Sequence, residues 1–220
     1  MGWGPIMQRS TWSVIGRSKP VLLQARVLDR VEQVVTLAFF GLLFVRVMLS
    51  GIPLAPLMLI SEASVVFCIL IRRSTATISY RPMDWLLATV GTTAPLLAVP
   101  GHAGAHSLVV PGILLALVGN TFQLSAKLVL LRSFGIAPAN RGVREEGPYR
   151  IVRHPMYAGY FLANVGLLLI MPSLVNLAVY LTAWTAQAFR LQAEERLLSQ
   201  DPQYVALKQR VRYRVLPFIY

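Results

Sequence analysis

The sequence predicts an all-α polytopic membrane protein, a helical bundle of five to six transmembrane helices that ends in a helical hairpin. Three observations predict it. Hydrophobic residues make up 55% of the 220 and charged residues only 14%, far from the balance of a soluble domain. Six apolar runs approach the roughly 20 residues needed to cross a bilayer core. Lysine and arginine gather in every second connection between those runs. A closed barrel is excluded because each run is too long and too uniformly apolar for strands that alternate over about ten residues.

Residues 1–30 form a cytoplasmic or interfacial lead-in. They lack the compact apolar core and small-residue cleavage site of a signal peptide and run into the first span without a break, so no removal is expected. Trp3 and Trp12 suit the headgroup level, and Pro20 can start an amphipathic helix carrying Val21, Leu22, Ala25 and Leu28. Residues 31–131 supply four spans: Val31 to Ser50, Leu54 to Ile71, Met83 to Val99, and Leu108 to Leu131. Pro95 is placed to kink the third. Residues 132–220 hold a polar loop, the hairpin over 156–196 and a basic tail. The hairpin legs, Met156 to Met171 and Leu174 to Phe189, are short enough to span or to form a partly inserted pair.

Charge orients these elements. Arg9, Arg17, Lys19, Arg26 and Arg30 precede the first span, and Arg72, Arg73 and Arg81 fill the second connection. Six basic residues from Lys127 to Arg153 surround the fourth, and six from Arg190 to Arg214 close the chain. The connections near Gly51, Gly101 and Ser173 carry none, so both termini are expected in the cytoplasm, at the inner membrane if the source is bacterial. The net charge of +12 follows from this topology and from attraction to anionic lipids; no nucleic acid partner is implied.

Other chemistry is weakly represented. Cys68 sits alone in an apolar run and reads as core. His102 and His106 have ligand spacing but no third ligand nearby, so no metal is expected. Arg46 and Glu62 lie inside consecutive spans, where an unpaired charge is costly. They read either as an ion pair, with the arginine reaching inward, or as the polar, substrate-binding wall of a cavity. Gly112, Ala116 and Gly119, like Gly159, Ala163 and Gly166, place small residues on one helix face, the usual device for close packing in membranes.

The densest polar pattern is Gly147 to Tyr160, GPYRIVRHPMYAGY, at the mouth of the fifth span. The loop before it, Arg132 to Arg153, is about 20 residues, longer than a connection requires, which favours a binding loop or lid. His154 followed by Pro155 marks a helix start, whose free N–H groups attract carboxylate or phosphate. Each hairpin leg covers about 25 Å, so Glu194 and Glu195 return to the depth of His154 and Tyr157. A cationic rim with adjacent carboxylates suits a zwitterion such as S-adenosylmethionine. A solvated helix end, with Arg190, Glu194, Glu195 and Arg196 in local pairs, fits the same spacing.

These residues resemble the isoprenylcysteine carboxyl methyltransferase family. Its Arg-His-Pro-x-Tyr-x-Gly element, apolar hairpin and Glu-Glu pair are matched by Arg153, His154, Pro155, Tyr157, Gly159, Glu194 and Glu195. Arg132, Ser133, Phe134, Gly135 and the stretch Pro138 to Asn140 extend the likeness, which runs from about Leu124 to Pro217. Leu131 departs from it, standing where relatives often carry glycine. The resemblance implies an integral-membrane, S-adenosylmethionine-dependent methyltransferase with a cytoplasmic cofactor pocket, and the chain has no G-x-G-x-x-G after a strand. It implies that His154, Pro155, Tyr157, Gly159, Glu194 and Glu195 bind or shape the cofactor site, with Gly159 allowing close approach. Arg153 is left to lipid phosphate. Arg190, one turn before Glu194, is the candidate for positioning an acceptor carboxylate, so Arg190 and Glu194 are the candidate catalytic pair. The acceptor is expected to be lipophilic, a carboxylate or thiol arriving from the bilayer. Phosphatidylethanolamine-type phospholipid N-methylation is the alternative, and an NADPH-dependent sterol-type reductase a further one.

Overall fold

The computed structural model describes residues 19–53, 55–73, 75, 77–101 and 104–217. Trp3, Trp12 and His102 lie outside the described residues. The regular structure of the described residues is helical: α1 (Lys19–Ser50), α2 (Leu57–Ile71), α3 (Pro82–Thr93), α4 (His106–Leu130), α5 (Pro155–Ile170), α6 (Leu174–Leu198) and α7 (Pro202–Arg210). The described residues pair in extended form only at one isolated antiparallel bridge, Ile78 to Ala139.

The helices begin where local chemistry starts them. Proline occupies the first turn of α3, α5 and α7, where a missing N–H costs nothing. Ser173 caps α6 by accepting from the Asn176 N–H at 3.0 Å. The described part of the lead-in, from Lys19, and the first span form one continuous helix, α1. Two stretches, Arg26–Ser50 and His106–Ser133, are long and apolar enough to cross a membrane by themselves; α5 is apolar but shorter. Apolar side chains remain on the outer faces, among them Val34, Val110 and Leu174, as expected for contact with lipid. Pro95 does more than kink the third apolar stretch. The α-helix stops at Thr93 and a 3₁₀ turn, Ala94–Leu97, follows, because proline lacks the N–H that would continue the ladder.

The tightest packing is between α4 and α5. Gly112, Ala116 and Gly119 face Gly159, Ala163 and Gly166 along one seam. A Cβ on Gly159 would stand 2.6 Å from both the Cβ and the backbone N of Gln123, and one on Gly112 would stand 2.9 Å from the Gly166 carbonyl oxygen. Gly159 therefore serves close helix packing against α4.

The loop after α4 is fastened rather than free. Arg141 Nε donates to the Arg73 carbonyl at 3.0 Å and its Nη2 meets Asp29 at 3.1 Å. Arg72 pairs with Asp29 at 2.9 Å and Glu32 at 2.8 Å, and Glu32 also accepts from the Ala137 N–H at 3.1 Å. On its other side Asn140 donates to Asp201 at 2.7 Å. These contacts hold the loop against α1, the chain after α2 and the start of α7, so a lid that swings as a unit would have to break the buried Arg141–Asp29 ion pair and several hydrogen bonds.

Candidate active site

Three segments meet at the start of α5. The backbone N–H groups of Arg153 and His154 donate to the carbonyls of Tyr213 at 3.0 Å and Arg214 at 2.8 Å, laying the tail across the helix end. The tail is thus fixed to the two residues that precede the helix. Arg153 is buried as well: its Nε donates to Glu195 at 2.9 Å and its Nη1 to the carbonyls of Val211 and Arg212. It is not a headgroup ligand, because the tail closes over it.

The two adjacent glutamates have different surroundings. Glu195 Oε1 accepts from Arg153, from His154 Nε2 at 3.1 Å and from the Tyr204 hydroxyl at 2.9 Å. Burial pushes its carboxyl up, but the His154 hydrogen bond, the Tyr204 hydroxyl and the Arg153 guanidinium outweigh that and hold it at about 2. Burial, then the Glu195 charge, raises the Tyr204 hydroxyl, so this phenol stays a donor. Glu194 points elsewhere. Its Oε1 accepts from the Tyr157 hydroxyl at 2.8 Å and from Arg190 Nε at 3.1 Å, and its Oε2 lies 3.8 Å from His154 Nδ1. Arg190 is 3% exposed and spends its other contacts on Thr92 Oγ1 at 3.3 Å and the Gly135 carbonyl at 3.0 Å. Its guanidinium also lies 5.5 Å over the Tyr157 ring.

Glu194, His154, Tyr157, Arg144, Tyr149 and Gly135 share the wall of one polar cleft. Pro155, Gly159, Arg190 and Glu195 are outside its lining; Arg190 acts on it through Glu194 and Gly135, and Glu195 through His154. Two polar atoms of the lining residues are buried without a partner: Arg144 Nε and the Tyr149 hydroxyl. Burial, then the Glu194 charge, raises the Tyr149 hydroxyl well above its ordinary value, leaving it a donor. Sequence reasoning missed both residues. Tyr149 sits inside the quoted motif, but Arg144 is one basic loop residue among several and carries no local signal.

Arg46 and Glu62 do not form the pair considered above. Arg46 Nη1 donates to the Leu97 carbonyl at 3.2 Å, at the end of the 3₁₀ turn where carbonyls lack helical partners. It borders no part of the polar cleft. Glu62 is buried and lines a small cavity with Tyr160 and Arg190.

An apolar cleft adjoins the polar one. Phe161, Trp184, Leu191, Val215 and Leu216 line it, and Tyr157 stands in the wall of both. The Phe161 and Trp184 rings lie 4.8 Å apart, and Phe161 is exposed.

Residues 102–201 match a family profile described as phospholipid methyltransferase. No curated protein matches the chain. Among solved structures, a eukaryotic intramembrane Ras methyltransferase, isoprenylcysteine carboxyl methyltransferase, is similar at 21% identity, covering 84% of this chain and 75% of that one with a TM-score of 0.47. The matched stretch, somewhat under half of the chain, holds α4, the fastened loop, the hairpin and both glutamates.

Proposed function

We propose that this protein transfers a methyl group from S-adenosylmethionine to a lipophilic acceptor, a carboxylate or thiol, at the cytoplasmic face of a membrane that it crosses with five to six helices. The observation that carries the reading is the position of Tyr157, shared by a polar cleft that contains Glu194 and an open apolar cleft of about 290 Å³.

The residues of the polar cleft fit the cofactor. Arg144 Nε and the Tyr149 hydroxyl, buried and unpartnered, are donors suited to an amino-acid carboxylate, and Glu194 suits an ammonium or ribose hydroxyls. When bound, S-adenosylmethionine supplies a methyl group activated on a sulfonium. The chain's own part is positioning and exclusion of water. Arg190 and Tyr157 hold Glu194 in one orientation from two sides, and the loop carrying Gly135 is fixed by the same arginine. Acceptor and cofactor meeting across Tyr157 would expel water, which favours an anionic acceptor approaching a cationic centre. His154 is engaged with Glu195 and Tyr204. Glu194 is therefore the nearer base if the acceptor carries a proton.

Thermal unfolding in detergent tests the cofactor. S-adenosylmethionine or its demethylated product at about 100 times its Kd should stabilise by about 2.7 kcal/mol, and NADPH should not. Stabilisation by NADPH alone would favour the reductase and overturn the methyltransferase reading. The matched profile favours phospholipid N-methylation as the second reading. Product chemistry separates the two: a methyl ester is cleaved by mild base, whereas an N-methyl amine survives.

A further inference from the structure

Arg190, one turn before Glu194, borders a second cavity, walled also by Glu62, Thr92, Tyr160, Asn164 and Gln187. Its volume of about 10 Å³ is room for a single water. The groups around it are polar and almost wholly buried: Asn164 is 7% exposed, Glu62 8% and Gln187 6%. Gln187 is committed to the Gly91 carbonyl at 3.0 Å. Asn164 is not committed, since its Nδ2 has no hydrogen-bond partner. A buried amide N–H nearly always finds a protein group or an ordered water. Arg190 has five N–H donors and places three of them, on Glu194, Thr92 and Gly135.

We propose that this cavity is a built water site, and that its water holds the Arg190 guanidinium where Nε reaches Glu194. The water accepts from Asn164 Nδ2 and from a remaining Arg190 N–H, and it donates to the Glu62 carboxylate. That gives it three partners, the usual number for a buried water. Asn164 is then a positioning residue: it touches neither clefts nor ligand and acts through the water on Arg190, and through Arg190 on Glu194.

Two variants test this, and their ligand-binding arm rests on the cofactor reading above. Asn164→Leu removes the amide and fills the space, whereas Asn164→Ala removes the amide but leaves room for water. The probe is S-adenosylhomocysteine, titrated calorimetrically in detergent, with unfolding temperature and an experimental density map as further readouts. Asn164→Leu should weaken binding about tenfold, the scale of one lost hydrogen bond to a charged group, while its unfolding temperature stays at or above that of the wild type. Asn164→Ala should lose less than about threefold, because water still reaches Arg190. Equal affinity for Asn164→Leu and the wild type, or a greater loss for alanine than for leucine, overturns the proposal. If no form binds the probe, the cofactor reading has failed and the map decides: a peak within hydrogen-bond distance of Asn164 Nδ2 supports the water site, and its absence overturns it.

Discussion

Replacing Glu195 by glutamine removes one negative charge from a junction shared by the start of α5, α7 and the tail. The carboxylate accepts from Arg153, His154 and Tyr204, with Lys208 at 3.7 Å and Arg214 at 3.6 Å facing its second oxygen. Its carboxyl is held at about 2 against an ordinary 4.5. At about 1.36 kcal/mol per unit, that difference is about 3 kcal/mol of folding stability. Because the folded value is depressed, the contribution is complete above about pH 4.5 and is lost as pH falls toward 2. Glutamine also leaves Arg153 buried without its anion, a loss of about 3–5 kcal/mol in comparable pairs. The bonds from Arg153 to the Val211 and Arg212 carbonyls place the expected effect at the lower end. Thermal unfolding in detergent should show Glu195→Gln lower by about 6–12 °C at pH 7, with the gap narrowing by about half at pH 3. Glu194→Gln leaves the buried Arg190 without its anion and should also unfold at a lower temperature, but unlike Glu195→Gln it should lose affinity for S-adenosylhomocysteine. A Glu195→Gln protein as stable as the wild type at pH 7, or a gap unchanged at pH 3, would refute the assignment of Glu195 to the junction.

Three further outcomes follow from particular residues. Leu131 has φ 42°, in the left-handed region that favours glycine, and its side chain is 41% exposed, so Leu131→Gly should gain about 1 kcal/mol in thermal or chemical unfolding. Gly159→Ala should lose about 1–3 kcal/mol by forcing α4 and α5 apart, while the folded fraction binds S-adenosylhomocysteine as the wild type does; normal stability with lost binding would return Gly159 to the ligand site. Tyr149→Phe removes an unpartnered hydroxyl, so unfolding should barely change while S-adenosylhomocysteine affinity, measured by calorimetry, falls about tenfold.

Much of the helical order was legible because it depends on local properties. Apolar run length predicts helices near α1, α2, α4 and the two hairpin legs, and the structure has helices there. Even Leu131 was visible as an odd residue before Arg132, and its positive φ is the physical counterpart. What was hidden involves direction. Glu194 and Glu195 are neighbours in sequence but about 100° apart around α6, enough for one to face the cleft and the other the junction. Arg153 looked like a surface cation until the tail closed over it. Arg144 and Tyr149 are loop residues, and the placing of that loop depends on the Arg141–Asp29 ion pair and the hydrogen bonds that fasten it.

The Glu194 and Glu195 pair marks the division between the two sources. The sequence by itself determined an all-helical membrane chain and, through about 1.5 Å of rise per residue, the return of these carboxylates to the level of His154, since length and hydropathy act along one dimension. The tertiary structure decided which carboxylate lines the cleft, that Gly159 belongs to the α4 seam, and that Tyr157 joins a polar cleft to an apolar one. Those outcomes depend on how helices rotate about their axes when they pack, and that rotation is settled only by the neighbours each face meets.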